Sequence, residues 1–251
     1  MVRSSDTDVL VIIIGLLGKQ GYTDTISSQV IMDCGAGNNR RYINVSEIVK
    51  TLEEKTPGLA ESLPGFHSFT GCDYTSAFYK KGKIKPFAIL EKNASGEYIR
   101  CFKSLGMQRD PDINLLNRFV CEMYSCSGMS CVNDARCAIF KRMSGPKDLK
   151  NPLGKIKRID CAVLSPCSKT LDKKIMRCHY VSVMWSKAGC SNPLDGMSDP
   201  TKFGWKMENE YVPEWFSGTS VPSAISNTDV QPKADDSINS DVLEEPDLSD
   251  E

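Results

Sequence analysis

Asp6 and Asp8 stand two residues apart beside an apolar run, VLVIII at residues 9–14. If that run is a strand, residues i and i+2 share a face, and the two carboxylates converge. Hard oxygen donors at that spacing suit Mg²⁺ or Mn²⁺. The same Asp-x-Asp also serves as a turn or helix-capping device. Four cysteines, Cys121, Cys126, Cys131 and Cys137, lack the longer gap between close pairs that zinc sites favour, and read better as buried thiols. His67 lies five residues before Cys72 and His179 directly follows Cys178, but no activating third group accompanies either pair, so both read as core histidines.

These groups must be placed by elements. VLVIII is β-branched, continuous and bounded by polar residues, the pattern of a central parallel strand covered on both faces. Such a strand requires partners, which points to a missing N-terminal half. QVIMDC (29–34) and RYINV (41–45) flank GAGNN and form a hairpin whose turn draws on Gly35, Gly37, Asn38 and Asn39. Ser46 caps a helix reaching about Glu54. A further helix covers 60–69, interrupted at Pro64-Gly65, and another starts near Pro86 and ends near Lys92. Helices are expected at about 112–125, 131–143 and 168–187. Trp205, Tyr211, Trp215 and Phe216 anchor an irregular stretch by packing it across the domain.

The chain has 251 residues and a net charge of −1, which conceals an asymmetry. Residues 229–251 carry nine acids and one base, while the remaining residues are basic by seven charges. A basic body with an acidic tail suits a nucleic-acid binder, or simply a solvated surface with a disordered tail. Lys141, Arg142, Lys147, Lys150, Lys155, Lys157 and Arg158 make a basic stretch with one acid, Asp148. It reads as a loop, an extension of a phosphate-contacting surface, or a nuclear-import signal. There is no secretory leader pattern, and the apolar run Val9–Leu17 is far short of the ~20 residues a membrane helix needs. With 11 cysteines, an odd number, the chain belongs to a reducing compartment, nucleus or cytoplasm, with no membrane partner.

Residues 63–92, LPGFHSFTGCDYTSAFYKKGKIKPFAILEK, resemble the segment of flap-endonuclease-type, PIN-like nucleases in which a helix ends in Gly-Cys/Ser-Asp-Tyr. SSDTDVLVI resembles the same family's acidic pair before a hydrophobic strand. The order of strand, hairpin, helix and Gly-Cys-Asp-Tyr helix fits as well, and the likeness covers about residues 3–92. The chain also resembles a group of transposon-associated animal PIN-like proteins that share DTDVLV and LPGFHAFTGCDxTSAF. The resemblance implies that Asp6, Asp8 and Asp73 are metal ligands and catalytic carboxylates. It also implies a glycine-bearing helix–turn–helix in which Lys80, Lys81, Gly82, Lys83 and Lys85 grip the DNA or RNA backbone; the lysines read equally as a solvated loop.

Two departures bear on activity. The family's site is a carboxylate ring holding two metal ions about 4 Å apart, and three carboxylates support one site at most. The family's Gly-x-Gly is Lys81-Gly82-Lys83 here, so backbone contact shifts from bare amides to lysines. The expected fold is α/β: a PIN-like sheet remnant with a hairpin (1–95), a helical extension (96–218) and an acidic tail (219–251). The expected function is a Mg²⁺- or Mn²⁺-dependent structure-specific nuclease, or a fragment of one inactive alone. The alternative is a non-catalytic nucleic-acid- or protein-binding module derived from a mobile element. The sequence does not indicate an oligomeric state.

Overall fold

In a computed structural model, which describes residues 1–19, 29–144 and 160–218, VLVIII is a helix rather than a strand. Strand β1 is only Val2–Arg3, and helix α1 runs Thr7–Lys19. The reason is local and tertiary together. Asp6 Oδ1 accepts the Asp8 N–H at 2.8 Å, a helix cap, and places acid at the positive helix end. A short apolar run does not by itself distinguish a buried strand from a buried helix. The β-branched side chains cost only tenths of a kcal/mol each in helix propensity. Burial outweighs this: Val9, Leu10, Ile13 and Leu17 pack on a small core of Ile14, Met32, Cys34, Val45, Val49 and Ala60.

The three-stranded sheet has the order β1-β2-β3, with β2 at Ile31–Cys34 and β3 at Arg41–Asn44. β1 is parallel to β2, with Val2 opposite Met32. β2 and β3 form the expected hairpin, with Met32 opposite Ile43. Gly35 and Gly37 have φ of 79° and 53°, conformations open to glycine. Helix α2 (Val45–Lys55) is capped by Asn44, whose Oδ1 accepts the Glu47 N–H at 3.2 Å. Ser46, the expected cap, instead accepts the Val30 N–H at 2.9 Å.

Helix α3 (Leu59–Thr70) passes through Pro64 without the expected break. It lies antiparallel to α1, as the pairs Asp8–His67 and Gly15–Pro64 show. A Cβ on Gly15 would lie 2.2 Å from Pro64 Cγ, so the proline ring fills the space that the glycine leaves. On α3's other side, a Cβ on Gly65 would lie 2.2 Å from the Phe102 carbonyl oxygen.

Beyond it come α4 (Ile84–Lys92), α5 (Glu97–Leu105), α6 (Ile113–Met123), α7 (Val132–Ser144) and α8 (Ser168–Ser186). Only α5 was not anticipated. Its buried residues include Tyr98, Ile99, Phe102 and Leu105, a clear helical spacing, behind the left-handed Gly96. The larger core joins residues on both sides of position 95, from Leu59 to Cys178. At its centre Phe69, Phe102 and Phe119 meet, with Phe102–Phe119 ring centroids 5.0 Å apart and edge to face.

A second hairpin, β4 (Trp205–Met207) with β5 (Tyr211–Pro213), lies against α8. Arg177 is buried and donates to the carbonyls of Gly204 and Glu214 at 2.8 and 2.7 Å, beneath the Trp215 ring. Trp205 packs on Tyr180, as expected of an anchor. Met1–Ser217 form one compact unit; of Gly218–Glu251, only Gly218 is among the described residues. The expected disordered tail and Lys147–Arg158 lie outside them. Among the described residues no disulfide is formed, and no helix is long and apolar enough to cross a membrane.

Candidate functional site

The first turn of α1 and the end of α3 meet beyond β1. Asp6 and Asp8 both sit there, but not as a converging pair. The strand geometry that would have aligned them is absent, and on a helix residues i and i+2 diverge by about 200°. Asp6 is exposed and occupied in capping. Asp8 is buried, and its Oδ1 lies 2.8 Å from His67 Nε2 on α3. A carboxylate can only accept, so Nε2 carries the hydrogen.

Burial holds the His67 pKa below its ordinary value, aided by the Lys83 ammonium and opposed by Asp8 and Asp6. His67 is therefore the satisfied core histidine that its apolar neighbours suggested. Its partner, 59 positions earlier in the chain, could not be read from the sequence.

Asp73 follows the end of α3. Gly71 has φ 121°, and a Cβ there would lie 2.7 Å from Ala77 Cα, so the turn requires glycine. Paired backbone bonds between Cys72 and Thr75 (3.0 and 3.3 Å) then hold Asp73 and Tyr74 outward at the tip. Both are exposed, and among the described residues Asp73 makes no hydrogen bond or ion pair.

The three predicted carboxylates thus flank one helix junction without forming one cluster. Among the described residues, no three His, Cys, Asp or Glu side chains are grouped as a metal ion requires. Mg²⁺ demands near-octahedral oxygen coordination. One Asp8 oxygen is committed to His67, and Lys83 places a positive charge nearby. The carboxylates present do not make a metal centre by themselves.

The lysines divide into two kinds. Lys83 is an exposed residue, but its ammonium folds back on the end of α3 and donates to the carbonyls of His67 and Gly71 (3.3 and 2.5 Å) and to Thr70 Oγ1 (3.0 Å). It caps the negative end of α3, and burial lowers its pKa. It is a structural cap, not the outward phosphate contact that the resemblance implies.

Lys80, Lys81 and Lys85 remain near the surface. Lys80 lies over the Tyr79 ring at 4.9 Å, Lys81 over Tyr124 at 4.4 Å, and Lys85 donates to Ser125 Oγ at 2.8 Å. Partial burial first, and the charge of Lys85 second, lower the Lys81 pKa. The strained turn residue is Lys80, with φ 53°, while Gly82 has open space at its α-carbon and no left-handed φ. Gly82 is not demanded by the backbone.

Two buried cations of α8 escaped the sequence reading. Lys174 is inside the core, over Phe78 at 4.8 Å and Phe69 at 5.8 Å, and donates to the Ser76 carbonyl. Burial lowers its pKa. With Arg177, it lies on the inner face of a helix whose apolar spacing was already mixed, the one available sign that charged residues share that face. The four cysteines considered for zinc grade from buried (Cys121, Cys126) to exposed (Cys137).

Compared with protein-family models, curated proteins and solved structures, the chain matches none.

Proposed function

We propose that the chain is the phosphate-binding part of a metal-dependent nuclease of the PIN-like, flap-endonuclease type, one that does not cut nucleic acid alone. One observation carries this reading: Lys80, Lys81 and Lys85 crowd a short segment beside Asp73, and none forms an ion pair among the described residues. Uncompensated neighbouring ammonium groups favour a polyanion, whose counterions they displace. The exposed rings of Tyr74 and Tyr79 add stacking faces to the same segment. The sequence motifs SSDTDVLVI and GCDYTSAFYKKGK supply the nuclease part of the reading, with VLVIII a helix where the resemblance implied a strand.

The state of the acids favours a second reading, a binding module without catalysis. Asp8 is tied to His67, Asp6 caps α1, and a metal ion would need carboxylates from elsewhere. One experiment tests what the two readings share: a labelled 5′-flap DNA and a single-stranded RNA are incubated with the purified chain in Mg²⁺ or Mn²⁺, beside Asp73→Asn. Binding that weakens steeply with salt, without cleavage by either protein, fits the incomplete nuclease and the binding module. Cleavage lost in Asp73→Asn would show that the chain is a complete enzyme. No salt-dependent binding to either nucleic acid would overturn both readings.

A further inference from the structure

A cavity of about 380 Å³ opens between α8, the segment following α5 and the stretch before β4. Its lining shares no residue with the α1–α3 junction or the lysine segment. His179 of α8 forms part of the wall. Its ring is buried at 6% exposure, and Nδ1 lies 2.9 Å from the Leu105 carbonyl oxygen. A carbonyl can only accept, so Nδ1 carries the hydrogen, and in the neutral ring Nε2 keeps its lone pair. Nε2 has no partner among the described residues. Among the described residues no buried side-chain nitrogen or oxygen lacks a partner, so this unpaired acceptor is open to the cavity and can take a hydrogen from a ligand bound there.

The remaining walls state what kind of ligand. Phe203 packs against His179 and Tyr180, with ring centroids 5.8 and 5.3 Å apart, and presents an aromatic surface to the cavity. Arg109 is exposed at the rim and makes no ion pair or hydrogen bond among the described residues. Its guanidinium fork matches phosphate oxygens in two-point contact. Asp110, next to it, can accept from sugar hydroxyls, as acids do beside ribose in dinucleotide sites. The volume lies within the range of small-ligand pockets.

We propose that this cavity binds a nucleoside 5′-phosphate. The base lies against Phe203, its exocyclic amine donates to His179 Nε2, and the phosphate sits on Arg109. The same chemistry is offered by a free mononucleotide and by the 5′-phosphorylated end of a strand.

The test is calorimetric titration of the whole chain with 5′-AMP, adenosine and purine riboside 5′-monophosphate. One AMP is expected per chain. Adenosine should bind at least tenfold more weakly for want of the phosphate, and purine riboside 5′-monophosphate several-fold more weakly for want of the amine. Arg109→Gln, at an exposed side chain with no hydrogen bond or ion pair among the described residues, should weaken AMP at least tenfold and leave adenosine unchanged. Phe203→Leu should weaken both. Displacement of AMP by a 5′-phosphorylated trinucleotide would identify a strand end as an occupant, and failure to displace it would identify the free nucleotide. Either result upholds the site. AMP binding unaffected by Arg109→Gln, or no AMP binding at millimolar concentration, overturns it. Lys80→Ala with Lys85→Ala should leave AMP binding intact, so failure here is distinct from failure of the nucleic-acid reading.

Discussion

Asp8 Oδ1 and His67 Nε2 are 2.8 Å apart, joining the first turn of α1 to the last turns of α3 at the point where the predicted acidic site was to form. Both side chains are largely buried. Asp8→Ala leaves the His67 donor without its acceptor, an expected loss of about 1–3 kcal/mol in chemical denaturation. His67→Ala strands the carboxylate and should cost at least as much. A loss in neither variant would mean that the pair contributes nothing to joining the helices.

The pH dependence of that pair has a defined sign. Burial lowers the folded-state pKa of His67, so the folded chain binds its proton less readily than the unfolded chain does. Stability from keeping the ring neutral is fully present above about pH 6.5, the unfolded value. It is lost as the pH falls through that value toward the folded one. Thermal unfolding between pH 7.5 and 5 should show a drop in Tm that is smaller in His67→Gln. An equal drop in both proteins would place the acid sensitivity elsewhere.

The glycines of the helical layer should differ sharply from the glycine of the lysine segment. Gly65→Ala would drive a methyl to 2.2 Å from the Phe102 carbonyl oxygen, displacing backbone, with an expected cost of about 1–3 kcal/mol. Gly82→Ala meets open space and should be neutral or stabilising by less than about 1 kcal/mol. Nucleic-acid affinity should also survive Gly82→Ala, because the lysines and not a bare glycine amide make the contact.

Lys174 brings a charge into the aromatic core over two ring faces, and burial first, with the Arg177 charge, outweighs Cys178 and Cys72 in lowering its pKa. The unfolded lysine holds its proton to about pH 10.4, so the folded state is penalised at neutral pH, and the penalty fades as pH rises toward that value. Lys174→Met should match or exceed the wild-type Tm at pH 7, with the difference shrinking toward pH 10. The Ser76 carbonyl that it releases lies on an exposed residue and can bond to water. A large drop in Tm at pH 7 would mean that the ammonium is needed where it is.

The thiols should separate by exposure. Cys137 and Cys190 are exposed, while burial pushes Cys101 up to about 12 and Cys121 up to about 11. The thiolate is the reactive form. Iodoacetamide at pH 8 should label Cys137 and Cys190 in the folded chain, and label Cys101 and Cys121 only after unfolding, as read by peptide mass spectrometry.

Much of the fold was legible because its signals are local. The GAGNN turn between β-rich runs specified the β2–β3 hairpin, since glycine conformations and alternation act over a few residues. The helices α2, α4, α6, α7 and α8 followed from apolar spacing and breakers in the same way. Readings failed where local signals are ambiguous. VLVIII has no periodicity to separate strand from helix, and Asp6, weighed as either ligand or cap, proved to be the cap. Pro64 reads as a break, yet Gly15 on another helix receives its ring.

The sequence by itself determined the hairpin, most of the helices and the clustering of lysines beside Asp73, because each depends on neighbours within a few positions. Only the tertiary structure decided which charges are spent. It committed Asp8 to His67, Lys83 to the end of α3, and Lys174 and Arg177 to the interior, and left Lys80, Lys81, Lys85 and Arg109 without ion pairs among the described residues and the His179 Nε2 without a hydrogen bond there. The physical reason is that a charge's role depends on what faces it after folding. Those partners lie up to 98 residues away for Lys174, and side-chain type carries no record of them.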